Sequence, residues 1–599
     1  TPGGSVTQYE YDNLGRVLKE TDAAGKSNFY SYHKNSKDYS KTKDKNGIIS
    51  SYTYDEDYLF TGMLKSKTIG STTINYTYDG WRNIAEINDG GSVTSYTYTG
   101  NNKLKSKTTP DNKTIQYEYD VRNNINRVTD YSGAVTTYSY DEANRLQKVS
   151  GAGASVTYTY NPQNRLQKIS YGSSLSAEYA YNNAGEPTSL IRKAGSSTTT
   201  FGYSYDLNGN LLQETENGNV VNAYTYDDLN RLATDKFGTT TTYGFNANGN
   251  ITSKVMTYAP ETSYTLTNAG ASYEFTNIKS HKVTMMYNAK NQLQTRSESI
   301  TGRTGGVTKS MSSSELFTAY TNDGSLKSKK ETLGTNLLTK SYWYNDRSQM
   351  IAYKENNVTK AEYTYDAEGY RASKIVDGKT TCFYWDRGYT INESDGTSFK
   401  AQNVVGLGGI VARKTTGTPT YLFKDVHGDT TMLMQGTSQK GTYDYDAYGK
   451  QTEITGTADN PYRYCGEYTD EETGFIYLRN RYYDPSIGRF ISEDPAKSGS
   501  NWYVYCENNP LKFVDPWGLE EIVISGGGSD DPWPFEFIAS AIKQIQNMQA
   551  NTNESITWIV SDIGYSNEDI NLIRSAAKDL DVRLVMIHNS DQLQNYLNS

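Results

Sequence analysis

Apolar and polar positions alternate along most of this chain in one short unit: an aromatic, a polar residue, a second aromatic, then Asp or Asn and a turn. The unit is Tyr-x-Tyr-Asp/Asn, often followed by Gly or Asn, Arg and an aliphatic residue, as in YEYDNLGRV from Tyr9 and YDDLNRL from Tyr226. A period of two predicts a strand with both tyrosines on one face. Asp-x-x-Gly or Asp-x-x-Asn supplies a hairpin turn, and the Arg-Leu or Arg-Val after it starts the return strand.

The first aromatic recurs at Tyr9, Tyr30, Tyr52, Tyr76, Tyr96, Tyr117, Tyr138, Tyr158, Tyr179, Tyr203, Tyr224 and Tyr243, at intervals of 19 to 24 residues. That is a solenoid period. Each repeat adds two short strands to a growing sheet, whose tyrosine rows bury area and send their hydroxyls to polar partners or water. A plain scaffold is the simpler reading of such rows. Stacking on sugars is the chemical alternative, which makes surface carbohydrate a candidate partner. Between Met256 and Leu338 the spacing weakens, and Tyr287 and Asn291 keep its remnants; longer loops or modified turns are expected there.

Composition agrees with a folded but aliphatic-poor protein. Hydrophobic residues make up 35% and mean hydropathy is -0.74, yet tyrosine occurs 54 times in 599 residues. Disordered chains are poor in aromatics. The net charge of -9 is uneven, because residues 520–599 hold four Lys/Arg and twelve Asp/Glu while the preceding part is nearly neutral. Neither part offers a basic face for nucleic acid. Cys382, Cys465 and Cys506, with His33, His281, His427 and His588, lie far apart and show neither CxxC nor HExxH spacing, so neither a metal site nor a cofactor is expected. His427 reads as a turn or packing residue, and GLGG at Gly406 as one more turn. No apolar run approaches the ~20 residues of a membrane span. Thr1 opens the chain in mid-pattern with no signal sequence, so the reading expects a C-terminal piece of a longer protein, with a secretion apparatus engaged through an N-terminal region.

The repeats resemble the YD repeats of the RHS family, through degenerate copies at Tyr287, Tyr342, Tyr363 and Tyr443, and YLFKDVHGDTTMLM from Tyr421 and GTYDYDAYGK from Gly441 are similar to the end of an RHS core. The resemblance implies a mainly β protein: a spiral β-solenoid over residues 1–460 wound into a hollow shell, with C-terminal cargo inside. From about Asn460 the composition shifts, and seven of the 13 prolines fall at or beyond Pro461. TGFIYLRNRYYDPSIGRFISEDP from Thr473, then NWYVYCENNP from Asn501 and VDPWGL from Val514, closely resembles the RHS core-associated segment, which would close the shell over residues 461–519.

Peptide hydrolysis needs an activated water and a proton donor. Two carboxylates held close supply both, because like charges cannot both ionise and one stays protonated. Asp494 and Asp515 are the candidate catalytic pair, each followed by a proline that fixes the local backbone; Asp484 and Glu493 are alternatives, and a common Asp-Pro turn is the structural reading. Arg489, in the GRF motif, is the candidate to hold one carboxylate ionised or to position the strand. Resemblance places the scissile bond after Asp-Pro-x-Gly-Leu, between Leu519 and Glu520, with Leu519 an apolar anchor and Gly518 allowing close backbone approach. Ala496-Lys497 departs from the family, which commonly has Gly there.

Residues 520–599 read as a separate small α/β tail, with helices over FEFIASAIKQIQNM, SNEDINLIRSAAKDL and SDQLQNYLN and a parallel strand pair from ITWIVSD and VRLVMIH. Its position resembles that of the variable toxin of polymorphic toxin proteins, which implies a secreted or cell-surface bacterial effector, a cognate immunity protein as partner, and release of the tail for interbacterial competition. Asp562 and His588, at strand ends, are candidates for a nuclease or other hydrolase, or else a helix cap and an edge residue. The alternative for the whole chain is an uncleaved structural or carbohydrate-binding cell-surface protein.

Overall fold

The computed structural model describes residues 6–519 except 23, 35, 57–61, 260–261, 457–458 and 498–500, together with the backbone of three strands, Val523–Gly526, Thr557–Ser561 and Arg583–Ile587. The repeat unit forms the predicted hairpin. In one copy, strand Val135–Tyr140 pairs antiparallel with Leu146–Gly151, and the Asp141 carboxylate accepts both the backbone N–H of Arg145, at 2.9 Å, and its Nε, at 2.8 Å. Asn144, the fourth residue of this turn, sits at φ +61°, the left-handed conformation that Gly and Asn adopt most easily. That is why this position is Gly or Asn in copy after copy.

The two tyrosines of the unit have different tasks. A β-bulge recurs just before the second, as between Ser139 and Tyr140 and between Thr159 and Tyr160, and re-aims its ring. The first tyrosine goes into the core at Tyr158, Tyr203, Tyr224 and Tyr243. The second is half-buried and donates its hydroxyl to the carbonyl that opens the previous return strand: Tyr140 to Ile125, Tyr160 to Leu146, Tyr181 to Leu166 and Tyr226 to Leu211, at 2.7–2.9 Å. Each repeat is thereby tied to the one before it.

Among the described residues these hairpins join into one 41-stranded sheet, from Gln8–Tyr11 to Gln451–Gly456, with antiparallel neighbours throughout. The sheet winds back on itself. Tyr117 OH donates to Asp386 Oδ1 at 2.7 Å, Tyr158 OH accepts from the N–H of Leu407 at 3.1 Å, and Arg192 Nη2 donates to Thr431 Oγ1 at 2.7 Å, pairs 239–269 residues apart in sequence. One turn of the spiral therefore takes about a dozen repeats of period ~21. Facing turns supply each other's burial, which replaces the separate core that an aliphatic-poor chain could not build.

Between Met256 and Leu338 the expectation of longer loops is corrected. The strands are longer: Ala271–Tyr287 has 17 residues, Leu293–Thr304 has 12 and Val307–Tyr320 has 14. Alternation survives there without tyrosine, since His281, Val283 and Met285 are buried and their neighbours exposed, and Leu266, Phe275, Ile300 and Leu333 form a small core of their own. In the tail, Thr557–Ser561 and Arg583–Ile587 run parallel as the apolar pattern predicts, and Val523–Gly526 adds a third parallel strand. The three predicted tail helices lie outside the described residues. Among the described residues no helix is long and apolar enough to cross a membrane.

Past the long sheet, a four-stranded sheet of Tyr468–Asp470, Phe475–Leu478, Arg481–Asp484 and Arg489–Phe490 packs against the shell, every residue of its second and third strands buried. Arg371 anchors it. Its guanidinium is buried among the rings of Tyr477, Phe383 and Tyr468 and ion-pairs with the fully buried Asp470, which Lys374 also reaches at 3.0 Å. Asp470→Asn leaves Arg371 without its countercharge, while Lys374 keeps Glu472 at 3.1 Å, and is expected to destabilise the closed shell by about 3–5 kcal/mol, measured as a lowered midpoint in thermal or denaturant unfolding; an unchanged midpoint would show that this pair does not hold the sheet.

Candidate active site

The two candidate aspartates meet around a third residue. Arg479 and Asn480 make the two-residue turn between strands Phe475–Leu478 and Arg481–Asp484, which delivers Arg481 as a buried first residue of the return strand. Arg481 Nη2 lies 3.3 Å from Asp515 Oδ2 and 3.9 Å from Asp494 Oδ1, and the carboxylates are each about 5% exposed. Asp494 and Asp515, 21 residues apart in sequence, are thus brought to one guanidinium nitrogen.

The same guanidinium holds the chain that follows Asp515. Nη2 donates to the carbonyl oxygen of Leu519 at 2.9 Å, Nη1 to that of Trp502 at 3.0 Å and Nε to that of Gly518, while the plane lies over the Phe490 ring at 3.5 Å from its centroid. Asp515 Oδ1 accepts the N–H of Leu519 at 3.1 Å. The carbonyl group of Leu519 is therefore fixed between an arginine on its oxygen and a carboxylate bonded to its own residue's amide. Asn480 adds a hydrogen bond to the Trp517 carbonyl at 3.0 Å. Gly518 has φ +63°, and a Cβ there would lie 2.7 Å from the Leu478 carbonyl oxygen and 2.9 Å from the Arg481 nitrogen, so only glycine fits. Glu520, on the far side of the bond, lies outside the described residues, as do Asp562 and His588.

Burial raises the Asp515 carboxyl, pushing it up to about 7; the Asp494 charge adds to this, and Arg481 with the Leu519 and Gly518 amides opposes it. Two carboxylates near one cation thus leave Asp515 as a group that can carry a proton near neutrality. The Asp494 turn is held by its own Oδ1, which accepts the N–H of Ala496 at 3.0 Å. Where the family commonly has glycine, Lys497 adopts the left-handed conformation, φ +54°, and its ammonium bonds Glu20 of the first repeats.

Arg481, and not the expected Arg489, is the arginine beside the two aspartates. Arg489 donates to Asn250 Oδ1 at 3.2 Å and to the Asn291 carbonyl at 2.6 Å, with its guanidinium against the rings of Tyr287 and Tyr503. It docks the segment to the shell, and its hydrogen bonds lead away from both aspartates. Of the alternative carboxylates, Glu493 ion-pairs with Lys45 at 3.2 Å and Asp484 caps its own turn through Ser486. Beside the pair is a cavity of about 1150 Å³, lined by Asp494, Pro495 and Leu519 together with Lys107, Glu368 and Arg387 of the shell.

The "RHS Repeat" family model matches residues 1–27 and 127–156. The tRNA nuclease WapA of Bacillus subtilis is 33% identical over 188 residues, 29% of this chain and 8% of WapA. The double-stranded DNA deaminase toxin A of Burkholderia cenocepacia is 49% identical over 63 residues, 10% of this chain and 4% of that protein. The chain thus spans less than a tenth of these relatives. Among solved structures, the crystal structure of TcdB2-TccC3-TEV matches 86% of this chain and 30% of its own with a TM-score of 0.64 at 15% identity, which is a likeness of fold. A tyrosine-aspartate repeat wound into one spiral sheet, the family match to that repeat and the shared shell fold mark this chain as an RHS/YD-repeat protein.

Proposed function

We propose that this chain is an RHS-type toxin carrier that cuts itself between Leu519 and Glu520 and releases residues 520–599 as an effector. The observation that carries this is the Leu519 carbonyl oxygen held by Arg481 Nη2, with Asp494 and Asp515 at the same nitrogen. Residues 1–460 serve as shell, 461–519 as closing segment and self-protease, and 520–599 as cargo. Toxin relatives support a toxic tail, with a cognate immunity protein as its partner and delivery into a target cell as its route.

The chemistry uses groups already in place. Asp494 takes a proton from a water that attacks the Leu519 carbonyl carbon. Arg481 stabilises the oxyanion that forms, the task of a preorganised donor in a dry site. The C–N bond breaks as Asp515 gives its proton to the nitrogen of Glu520, leaving an amine on Glu520 and a carboxylic acid on Leu519, whose proton then passes to the Asp515 carboxylate. Because the bond belongs to the same folded chain, fixed geometry replaces substrate binding and contributes roughly 7 kcal/mol or more.

Denaturing electrophoresis of the purified chain is expected to show a fragment of about 9 kDa starting at Glu520, in proportion to 67.0 kDa for 599 residues. Asp494→Asn and Asp515→Asn should abolish it with the shell still folded, and Arg481→Lys should slow it at least ~100-fold; a single intact band from wild type after long incubation would leave the uncleaved structural protein as the answer. A general acid that titrates near 7 sets the pH dependence. Asp515 carries its proton below that value and loses it above, so the first-order rate of fragment release should fall about tenfold per pH unit on the alkaline side. A rate flat to pH 9 would remove Asp515 from the acid role. Finally, residues 520–599 expressed alone in a bacterial cytoplasm should arrest growth, with Asp562→Ala or His588→Ala restoring it if those residues act; normal growth at confirmed expression would deny the tail a toxic role.

A further inference from the structure

Away from the aspartate pair, a second set of donor atoms converges where the shell meets the closing segment. His427 and Asp429 stand on the turn between strands Thr420–Lys424 and Thr430–Gln435, and Cys465 stands in the tight turn Tyr464–Gly466. His427 Nδ1 lies 3.3 Å from Asp429 Oδ1 and 3.9 Å from Cys465 Sγ, and all three atoms are within 4.8 Å of one another. Around this point Asp425 Oδ1 accepts the amides of His427, Gly428 and Asp429, Lys424 Nζ lies beside Gly466 and donates to the Gly408 carbonyl, and the Tyr505 hydroxyl is 3.6 Å from Cys465 Sγ.

The arrangement is built. Cys465 is held in the left-handed region, φ +51°, where a residue other than glycine is strained, and its backbone N–H donates to Asp429 Oδ1 at 2.6 Å. His427 Nε2 faces the Phe513 carbonyl oxygen at 3.4 Å. A proton on Nε2 leaves the Nδ1 lone pair pointing at the thiol and the carboxylate, the outer-shell contact that orients a metal-bound histidine. A proton on Nδ1 would satisfy only one neighbour at a time. A divalent cation would satisfy all three.

We propose that His427 Nδ1, Asp429 Oδ1 and Cys465 Sγ form a binding site for one divalent transition-metal ion of the zinc class, with a fourth position for water, and that the ion clamps the closing segment to the shell. Bonds of about 2.0–2.3 Å in a tetrahedral site put ligand atoms roughly 3.4–3.6 Å apart, so the two histidine distances of 3.3 and 3.9 Å need shifts of tenths of an ångström, and the carboxylate and thiolate, within 4.8 Å of each other, close by about 1 Å at most. One sulfur, one imidazole nitrogen and one carboxylate oxygen favour zinc or cobalt over magnesium or calcium. The clamp acts at Cys465 and, through His427, at the Phe513 carbonyl two residues before Asp515. It rests on the donor geometry alone and holds whether or not the chain cuts itself.

The test is cobalt titration of the purified, chelator-stripped full chain. One equivalent of Co²⁺ should bind with a thiolate-to-cobalt charge-transfer band, zinc should displace it, and zinc should raise the thermal midpoint. Cys465→Ser should remove the band, His427→Gln should weaken Co²⁺ binding about tenfold or more, and Cys382→Ser should change neither. Folded wild type without a thiolate band, or a band that persists in Cys465→Ser, would overturn the site. Should the variants fail to fold, labelling of the three thiols in wild type decides: zinc must protect Cys465, and labelling of Cys465 unaffected by zinc refutes the proposal.

Discussion

The buried guanidinium of Arg481 is the contact on which the end of this chain depends. It satisfies three backbone carbonyls, at Trp502, Gly518 and Leu519, lies against the Phe490 ring and stands between two carboxylates. Only a planar group with donors on several edges can do this. A lysine at the same place would be a point charge with three donors on one atom, and the last residues before Glu520 would lose their fixed path. The side chain that orders the segment is also the one bonded to the Leu519 carbonyl, the group proposed to be cut.

The shell offers this segment polar sockets rather than a greasy surface. The turns of the repeat line up, and their asparagine side chains and backbone carbonyls form a row that the closing segment meets. Asn509 donates to Asn210 Oδ1 and to the Asn230 carbonyl, Asn508 to the Gly249 carbonyl and Asn501 to Asn250 Oδ1. Arg489 completes the row at Asn250 and Asn291. A directional hydrogen bond at each turn fixes register in a way that apolar contact between two repetitive surfaces cannot. Buried ion pairs such as Arg371 with Asp470 belong to the same design, since a misplaced segment would strand a charge in the interior.

Winding is the other constraint. A chain with 35% hydrophobic residues cannot fill a large core, yet its sheet buries tyrosine, valine and leucine side chains because one turn of the spiral covers the next. Aromatic faces bury area while the second tyrosine of the unit gives its hydroxyl a backbone partner, as where Tyr140 bonds the Ile125 carbonyl, so the wall is cohesive without an aliphatic filling. The candidate groups gather where that wall ends, at the junction of segments far apart in sequence: Lys497 reaches Glu20, and Lys45 reaches Glu493.

The sequence by itself determined the hairpin unit, because alternation, an Asp that caps its own turn and a Gly or Asn that accepts a positive φ are local requirements. It also held the two tail strands, and it offered Asp494 and Asp515 as candidates, since residue type and a Pro neighbour can be read without a partner in view. It did not reveal the bulge that separates the two tyrosines, since that depends on the neighbouring strand, nor the long strands around Ala271–Tyr287, whose alternation uses His, Val and Met where tyrosine was the marker. The choice between Arg489 and Arg481 was beyond it as well: both lie in one stretch of similar residues, and only the register of the hairpin turns one toward Leu519 and the other toward Asn291. His427, Asp429 and Cys465 span 39 residues with no recognisable spacing, and tertiary structure alone decides that their donor atoms meet, because a turn of the shell and a turn of its lid are neighbours in space and strangers in sequence.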